Sequence, residues 1–273
     1  EKAIDYLREK GLAKAAKKQS RIAAEGVVGA YICEKCGTGA LVEVNCETDF
    51  VANTPEFKEM VQQIAKAIVM ANPADVDALG AVKLPDNEAQ TVNDLVTEKT
   101  AKIGEKISVR RFVRYEAGNG LVDSYIHMGG KVGVLVLAEG EKTDSVKEVL
   151  HDVALQIAAA SPVAPEYVTR DQVNPEHLHH ETEILAAQAR NEGKPEKIIE
   201  KMVQGRINKF YEEVCLMEQS FVKDSEMTVE KMINTKAPGT KIVAFTRYKM
   251  GDGLEKKVTD LAAEVAEQTK MKG

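Results

Sequence analysis

The sequence predicts an α+β fold: two repeated subdomains, each a small antiparallel sheet with helices on one face, plus an inserted antiparallel coiled-coil hairpin and a C-terminal helix. Three observations carry this prediction. An internal repeat runs from Gly26 to Gly253, the second copy contains a long helical addition, and only 5% of residues are aromatic while 29% are charged. No Trp occurs, and a low aromatic content with many charges favours helices with solvated faces. A hydrophobic content of 44% in 273 residues is enough for a real core.

The repeat begins with a hairpin in each half. Tyr31-Ile32, a Gly-rich turn and a strand over Ala40 to Val44 correspond to Tyr125-Ile126, Gly129-Gly130 and a strand over Val132 to Leu137. A helix follows in each. Phe57, Met60, Val61, Ile64, Ala65 and Ile68 fall on one helical face, and Val146, Val149, Leu150, Val153, Ala154 and Ile157 repeat it 89 residues later. Pro73 matches Pro162 in the same register. Thr91-Val92 then returns as Thr228-Val229, and Phe112-x-Arg114-Tyr115-x-x-Gly118-x-Gly120 as Phe245-x-Arg247-Tyr248-x-x-Gly251-x-Gly253. Each half thus reads as hairpin, helix, helix, strand.

Between Pro162 and Thr228 the offset grows from 89 to 137, so 48 residues are added there. His179 to Asn191 reads as one helix, and Gly193-Lys194-Pro195 breaks it. Val203, Ile207, Phe210, Val214 and Met217, spaced alternately by four and three, predict a coiled-coil stripe on the next helix. Such a hairpin reads as an interaction arm, for a second copy of the chain or another partner. The expected division is 1–23 as the remnant of an N-terminal helical domain with a basic linker, 24–121 as the first core subdomain, 122–163 with 220–256 as the second, 164–219 as the hairpin, and 257–273 as a C-terminal helical module. Val258, Leu261, Ala262, Val265 and Ala266 mark that last amphipathic helix.

The stretch from Glu43 to Phe57 draws attention within this frame. Thr54 suits an N-cap, Pro55 the first helical position and Glu56 a first turn, so the helix is expected to start at about Pro55, with Phe50 outside it on a strand-to-helix loop. Beside Asp49, Phe50 is either tucked under its loop or offered to a partner, where aromatics dominate binding energy. Counting 89 residues on from Phe50 reaches Glu139, so the repeat does not require an aromatic there, which favours the partner.

Other groups carry weaker signals. Arg8, Lys10, Lys14, Lys17, Lys18 and Arg21 make the start locally basic, as a solvated face near helix C-termini or as a docking surface for an acidic partner. Cys33-Glu34-Lys35-Cys36 is a metal pair, a redox pair or two thiols on a hairpin turn; a structural zinc needs four ligands, and only Cys46 lies near in sequence. His177, His179 and His180 beside Glu181 read as a surface cluster at a helix entrance or a weak metal site, and His127 alone as a structural or surface histidine. The net charge of −6 argues against general nucleic-acid binding. G-x-x-x-x-G-K-[ST], G-x-S-x-G and H-E-x-x-H are all absent, so no active site, cofactor or metal is expected. No 18-residue apolar run occurs, and the first residues form neither a signal-peptide core nor an initiator Met, so the chain is expected to be soluble and to lack its true N-terminus. Four cysteines suit a reducing compartment.

The run from Val42 to Phe57, with Thr48-Asp49-Phe50 at its centre, resembles the signature of the elongation factor Ts family, and further matches extend to the end of the chain. The resemblance implies two similar α+β subdomains, a coiled-coil hairpin inserted in the second, a C-terminal helical module, and no catalytic group. It also implies that the chain exchanges guanine nucleotide on elongation factor Tu, in the bacterial cytoplasm or an organelle interior (plastid stroma or mitochondrial matrix). Carried over residue by residue, Asp49 and Phe50 are the working residues, with Thr48 beside them and Phe50 as a wedge. Ile103-Gly104 and His127 flank it, and Lys18 belongs to the contact from the basic segment. The family usually begins with a small helical domain bearing a Thr-Gly-Ala-Gly turn, which this chain does not contain. The rival expectations are a coiled-coil dimerisation scaffold with Phe50 in its own core, and a thiol-based metal or redox protein.

Overall fold

The computed structural model describes residues 13, 15–160 and 163–255. The expected remnant helix before Leu12 and the expected C-terminal helix from Val258 lie outside the described residues, as does Pro162. In chain order the elements are β1 (Glu25–Cys33), β2 (Thr38–Cys46), α1 (Asp49–Ala52), α2 (Pro55–Ala71), α3 (Val76–Gly80), β3 (Lys83–Leu84), β4 (Asn87–Thr91), α4 (Val92–Ile103) and β5 (Ser108–Glu116). Then follow β6 (Gly120–His127), β7 (Val132–Glu139), α5 (Asp144–Ala159), α6 (Pro175–Asn191), α7 (Glu196–Val214), β8 (Ser220–Phe221), β9 (Asp224–Thr228), α8 (Val229–Lys236) and β10 (Lys241–Lys249). This is a mixed, α+β architecture with small antiparallel sheets. One three-stranded sheet has the order β1-β2-β5 and a second β10-β7-β6, so the second strand of each of these hairpins is central, while β3-β4 and β8-β9 are separate two-stranded pairs.

Helix starts follow from side-chain caps. Thr54 accepts from Phe57 N and Thr143 from Val146 N, each one residue before a helix that buries one apolar face. Thr91 and Thr228 cap α4 and α8 in the same way, and Thr91 forms a full capping box with Asp94. In the added segment, Asn174 caps a helix that starts at Pro175, four residues earlier than the apolar pattern alone indicates. The α6 and α7 helices lie side by side and antiparallel: the His177 ring near the start of α6 is 5.3 Å from Phe210 near the end of α7. The stripe ends sooner than expected, since α7 stops at Val214 and Met217 falls in the following turn.

The helix-side faces of the two sheets bury separate clusters. Ala40, Val42, Val44 and Cys46 of β2 pack on Phe57, Met60, Ile64 and Ile68, while Val134, Val136 and Ala138 of β7 pack on Val149, Leu150, Val153 and Ile157. Their other faces pack on each other, through Val28, Leu41, Leu135 and Met250 with Val113, Tyr115, Val122 and Tyr248. Every residue of β2 is consequently buried. The repeat is visible atom by atom in this layer: a Cβ on Gly39 would strike Val122 and Leu135, and one on Gly133, 94 residues later, would strike Val28 and Leu41. Glycine at both positions lets the side chains of the facing sheet come close to the backbone.

One charge lies in this layer. Glu43 is fully buried, and a bulge pairs Glu43 with Arg111 and Val44 with Val109, so that the unpaired Arg110 and its neighbour both reach the same carboxylate. Arg111 Nε donates at 2.7 Å, Arg110 Nη1 at 3.1 Å and Gly251 N at 2.8 Å. The same two arginines donate to the carbonyls of Asp252 and Lys249, beyond and at the end of β10. Burial opposes ionisation of Glu43, but the Gly251 N–H and the two guanidinium groups more than offset it, and its pKa lies below the ordinary carboxylate range.

A buried carboxylate with two cationic partners is costly to break, because truncating one partner leaves unpaired charge behind. Glu43→Ala is expected to destabilise the chain by roughly 3–5 kcal/mol in urea unfolding. With a depressed folded pKa, the Glu43 contribution is complete above the ordinary carboxylate range and declines as pH falls through the folded value. The wild-type protein should therefore lose stability on acidification more steeply than Glu43→Gln, which has no carboxylate to titrate.

Candidate functional site

Phe50 is 84% exposed, and it does not sit on a loop. Asp49–Ala52 is a separate helical turn ahead of α2, because Thr48 as well as Thr54 acts as an N-cap: its hydroxyl accepts from Val51 N. The two caps are adjacent in space, since Thr54 Oγ1 donates to Val51 O at 2.8 Å and Asn53 Nδ2 to Asp49 O at 2.9 Å. The expected counterpart of Phe50 at Glu139 is also corrected. The strands repeat at 94 residues, as Gly39 and Gly133 show, and the helix caps Thr54 and Thr143 at 89. The five-residue difference lies in the link between strand and helix. Glu139 is the paired last residue of β7, whereas the Phe50 turn has no equivalent in the second half.

That turn is held from a distance. Glu105, just past the α4 C-cap, accepts from Glu47 N and Thr48 N through one oxygen and from Thr48 Oγ1, at 2.7 Å, through the other. Glu47 in turn accepts from Lys106 N at 2.6 Å and pairs with Arg21. Gly104 makes this corner: its φ of 88° ends α4 in the left-handed region, which favours glycine. The Gly104 carbonyl accepts from Lys18 Nζ. Lys99 and Lys102 of α4 both pair with Glu56 in the first turn of α2 and hold its carboxyl down to about 2. These ion pairs link α4 to the start of α2.

His127 ends β6, exposed, before a turn in which Met128 is 73% exposed with φ 48°. The turn lies along the Glu25 end of β1: Val28 N donates to Gly130 O at 2.8 Å and Lys131 pairs with Glu25 at 2.9 Å. Glu25 is the register partner of Cys46, from which the chain enters the Phe50 turn. His127 Nδ1 lies 3.3 Å from the Tyr125 hydroxyl.

Among the seven residues singled out in the sequence, Lys18, Ile103, Gly104, Thr48, Asp49 and Phe50 are thus connected by direct contacts or by a single intervening residue, and His127 is brought to the same end of β1. Sequence reading missed Glu105, Glu47 and Met128. Glu105 acts on a segment 57 residues away, which no local pattern reports, whereas an apolar Met128 ahead of Gly129-Gly130 was a readable sign. His177, His179 and His180 are not brought into a metal cluster; among the described residues no group of three or more His, Cys, Asp or Glu has the arrangement to hold an ion. His177 instead lies 2.9 Å from the Tyr167 hydroxyl.

The turn presents a large exposed aromatic that Thr48, Thr54 and Glu105 hold in place, with the lysine-bonded Gly104 carbonyl one residue before Glu105. The family model described as "Elongation factor TS" matches residues 47–252. An "Elongation factor Ts" from Halothermothrix orenii is 45% identical over 270 residues, covering 99% of this chain and 88% of the relative. One from Clostridium kluyveri is 46% identical over 273 residues, covering 98% and 88%. The chain belongs to the elongation factor Ts family, and its role is in translation elongation.

If Glu105 holds the Phe50 turn, Glu105→Ala should raise amide hydrogen exchange at residues 47–53 by about tenfold or more while exchange in α2 stays unchanged. That follows from losing charge-assisted hydrogen bonds worth about 1.5–3 kcal/mol.

Proposed function

We propose that the chain binds elongation factor Tu carrying GDP and promotes GDP release by inserting Phe50 near the Mg²⁺ and phosphate site, after which GTP rebinds. The single observation that carries the reading is Phe50 itself: in a chain of this family, the Thr48-Asp49-Phe50 turn is capped at both ends, tied to Glu105, and leaves the ring 84% exposed. No catalytic group is needed. A nucleoside diphosphate is held by its Mg²⁺ and by backbone donors of a phosphate loop, so an apolar wedge that shifts either element weakens binding. Burying one Phe is worth roughly 1.5–3 kcal/mol, so Phe50 supplies a lever and the surrounding contacts supply affinity.

On this reading Asp49 and Thr48 accompany Phe50, Ile103 and Gly104 line one side of the contact, His127 the other, and Lys18 reaches it from the linker. The boundaries at 24–121, at 122–163 with 220–256, and at 164–219 separate two core subdomains from a coiled-coil arm, whose exposed Ile184 and Ile198 suit a partner or a second copy. Action would be in the bacterial cytoplasm or an organelle interior, where elongation factor Tu works; among the described residues no helix is long and apolar enough to cross a membrane. The rival, a dimerisation scaffold with Phe50 in its own core, meets a ring that is 84% exposed and belongs to none of the core clusters of the described residues.

Stopped-flow release of fluorescent GDP from elongation factor Tu tests the proposal. Wild type should accelerate release, and Phe50→Ala should lose about tenfold or more of that acceleration while melting at the wild-type temperature. Linkage requires that GDP weaken factor binding by the same ratio by which the factor weakens GDP binding. Failure of wild type to accelerate release, or a Phe50→Ala variant as active as wild type, would refute it.

A further inference from the structure

Cys33 and Cys36 close the tip of the β1–β2 hairpin, at the opposite end of those strands from the Phe50 turn, and their sulfurs are bonded. Nine residues of strand separate the two ends by about 26 Å. The tip is fixed by contacts other than the sulfur bond. Gly37 turns the chain with φ 59°, Thr38 Oγ1 donates to Cys36 O, and Ala117 N donates to Gly37 O at 2.8 Å, tying the tip to the end of the first sheet. The Cα atoms are held 5.5 Å apart, inside the range that a disulfide spans. The two sulfurs are therefore neighbours with or without a bond between them.

Their surroundings differ from those of the other cysteines. Cys36 is exposed, and Cys33 lines a cleft of about 820 Å³ between the hairpin tip and α5, together with Lys142, Lys147 and His151. Cys36 N–H points at Cys33 Sγ from 3.4 Å, and Lys147 lies 3.9 Å from Glu34 between the two cysteines. Cys46 and Cys215 are the reverse: both are buried, and burial pushes their thiols up to about 12 and about 11.

We propose that Cys33 and Cys36 are a reversible thiol–disulfide exchange site, with a low-molecular-weight disulfide as oxidant and a thiol or dithiol as reductant. The exposed Cys36 thiolate attacks one sulfur of the oxidant, forming a mixed disulfide and releasing one thiolate. Cys33 thiolate then attacks Cys36 Sγ, closing the intramolecular bond and releasing the second. In net terms two protein thiols are oxidised, one external disulfide is reduced to two thiols, and the protons move from the former to the latter. The fixed turn makes the second step intramolecular, so the mixed disulfide does not accumulate. The site is independent of nucleotide exchange.

The test equilibrates the full chain with mixtures of reduced and oxidised glutathione, quenches with acid, alkylates and measures mass. As the oxidised share rises, two of the four thiols should vanish together without a glutathionyl adduct, and dithiothreitol should restore both. Cys46 and Cys215 should stay reduced throughout. Cys33→Ser should convert the two-thiol step into a single glutathionyl adduct at Cys36, with an unchanged thermal melt. The proposal is overturned if wild type keeps four thiols at the oxidised limit, accumulates mixed adducts in place of the bond, or keeps the bond at the reduced limit. Stoichiometric zinc on the reduced chain would overturn it as well.

Discussion

The face-to-face contact of the two sheets is the constraint on which the rest of the structure depends. It buries β2 on both sides, and every residue there is chosen by one of two neighbours. Ala40, Val42 and Val44 answer to α2, while Leu41 answers to Leu135 and Met250 across the seam. Gly39 and Gly133 let the sheets approach, and Glu43 fixes how they are aligned by binding arginines of one sheet and the Gly251 amide that follows the other. A lone buried carboxylate would be strongly destabilising, so the two guanidinium groups, the Gly251 amide and the Asn45 side-chain amide that also donates to it have to be present together. That requirement specifies one relative position of the two halves.

The candidate contact surface is built on this frame. The chain leaves β2 at Cys46, directly after the buried Asn45, and enters a helical turn whose only large apolar side chain points to solvent. Exposed apolar surface is not corrected by packing, so the turn needs polar restraints: Thr48 and Thr54 as caps, and Glu105 as an anchor just past α4. The His127 turn reaches the same end of β1 through the second hairpin. A surface assembled from both halves depends on their alignment, which ties the seam to the proposed action on elongation factor Tu.

Much of this was legible in the sequence because the signals are local. Thr54-Pro55-Glu56 marks a helix start without any tertiary information, and the repeated apolar faces mark the two main helices and their shared layout. Resemblance of the Thr48-Asp49-Phe50 stretch to a known family drew attention to the turn that carries the exposed ring. The parts that were not legible depend on contacts far apart in sequence. Thr48 looks like a linker residue until Glu105 is seen to hold it, and the helical turn it caps is too short for periodicity to register. A single repeat offset of 89 hid the five residues that distinguish the halves, since strands and helices repeat at different offsets. Charged Glu43 in an apolar strand is explained only by a second sheet, which no pattern within the strand reveals.

The central claim is that the scaffold acts by presenting Phe50, and a double-mutant cycle on stimulated GDP release from elongation factor Tu tests it most directly. Glu105→Ala, Phe50→Ala and the double variant would be compared with wild type, each at saturating factor. If Glu105 contributes only by holding the Phe50 turn, its loss should slow release in the presence of Phe50 and have no further effect in its absence, so that the double variant equals Phe50→Ala. Additive losses, or a Glu105→Ala defect that persists undiminished without the ring, would contradict the account.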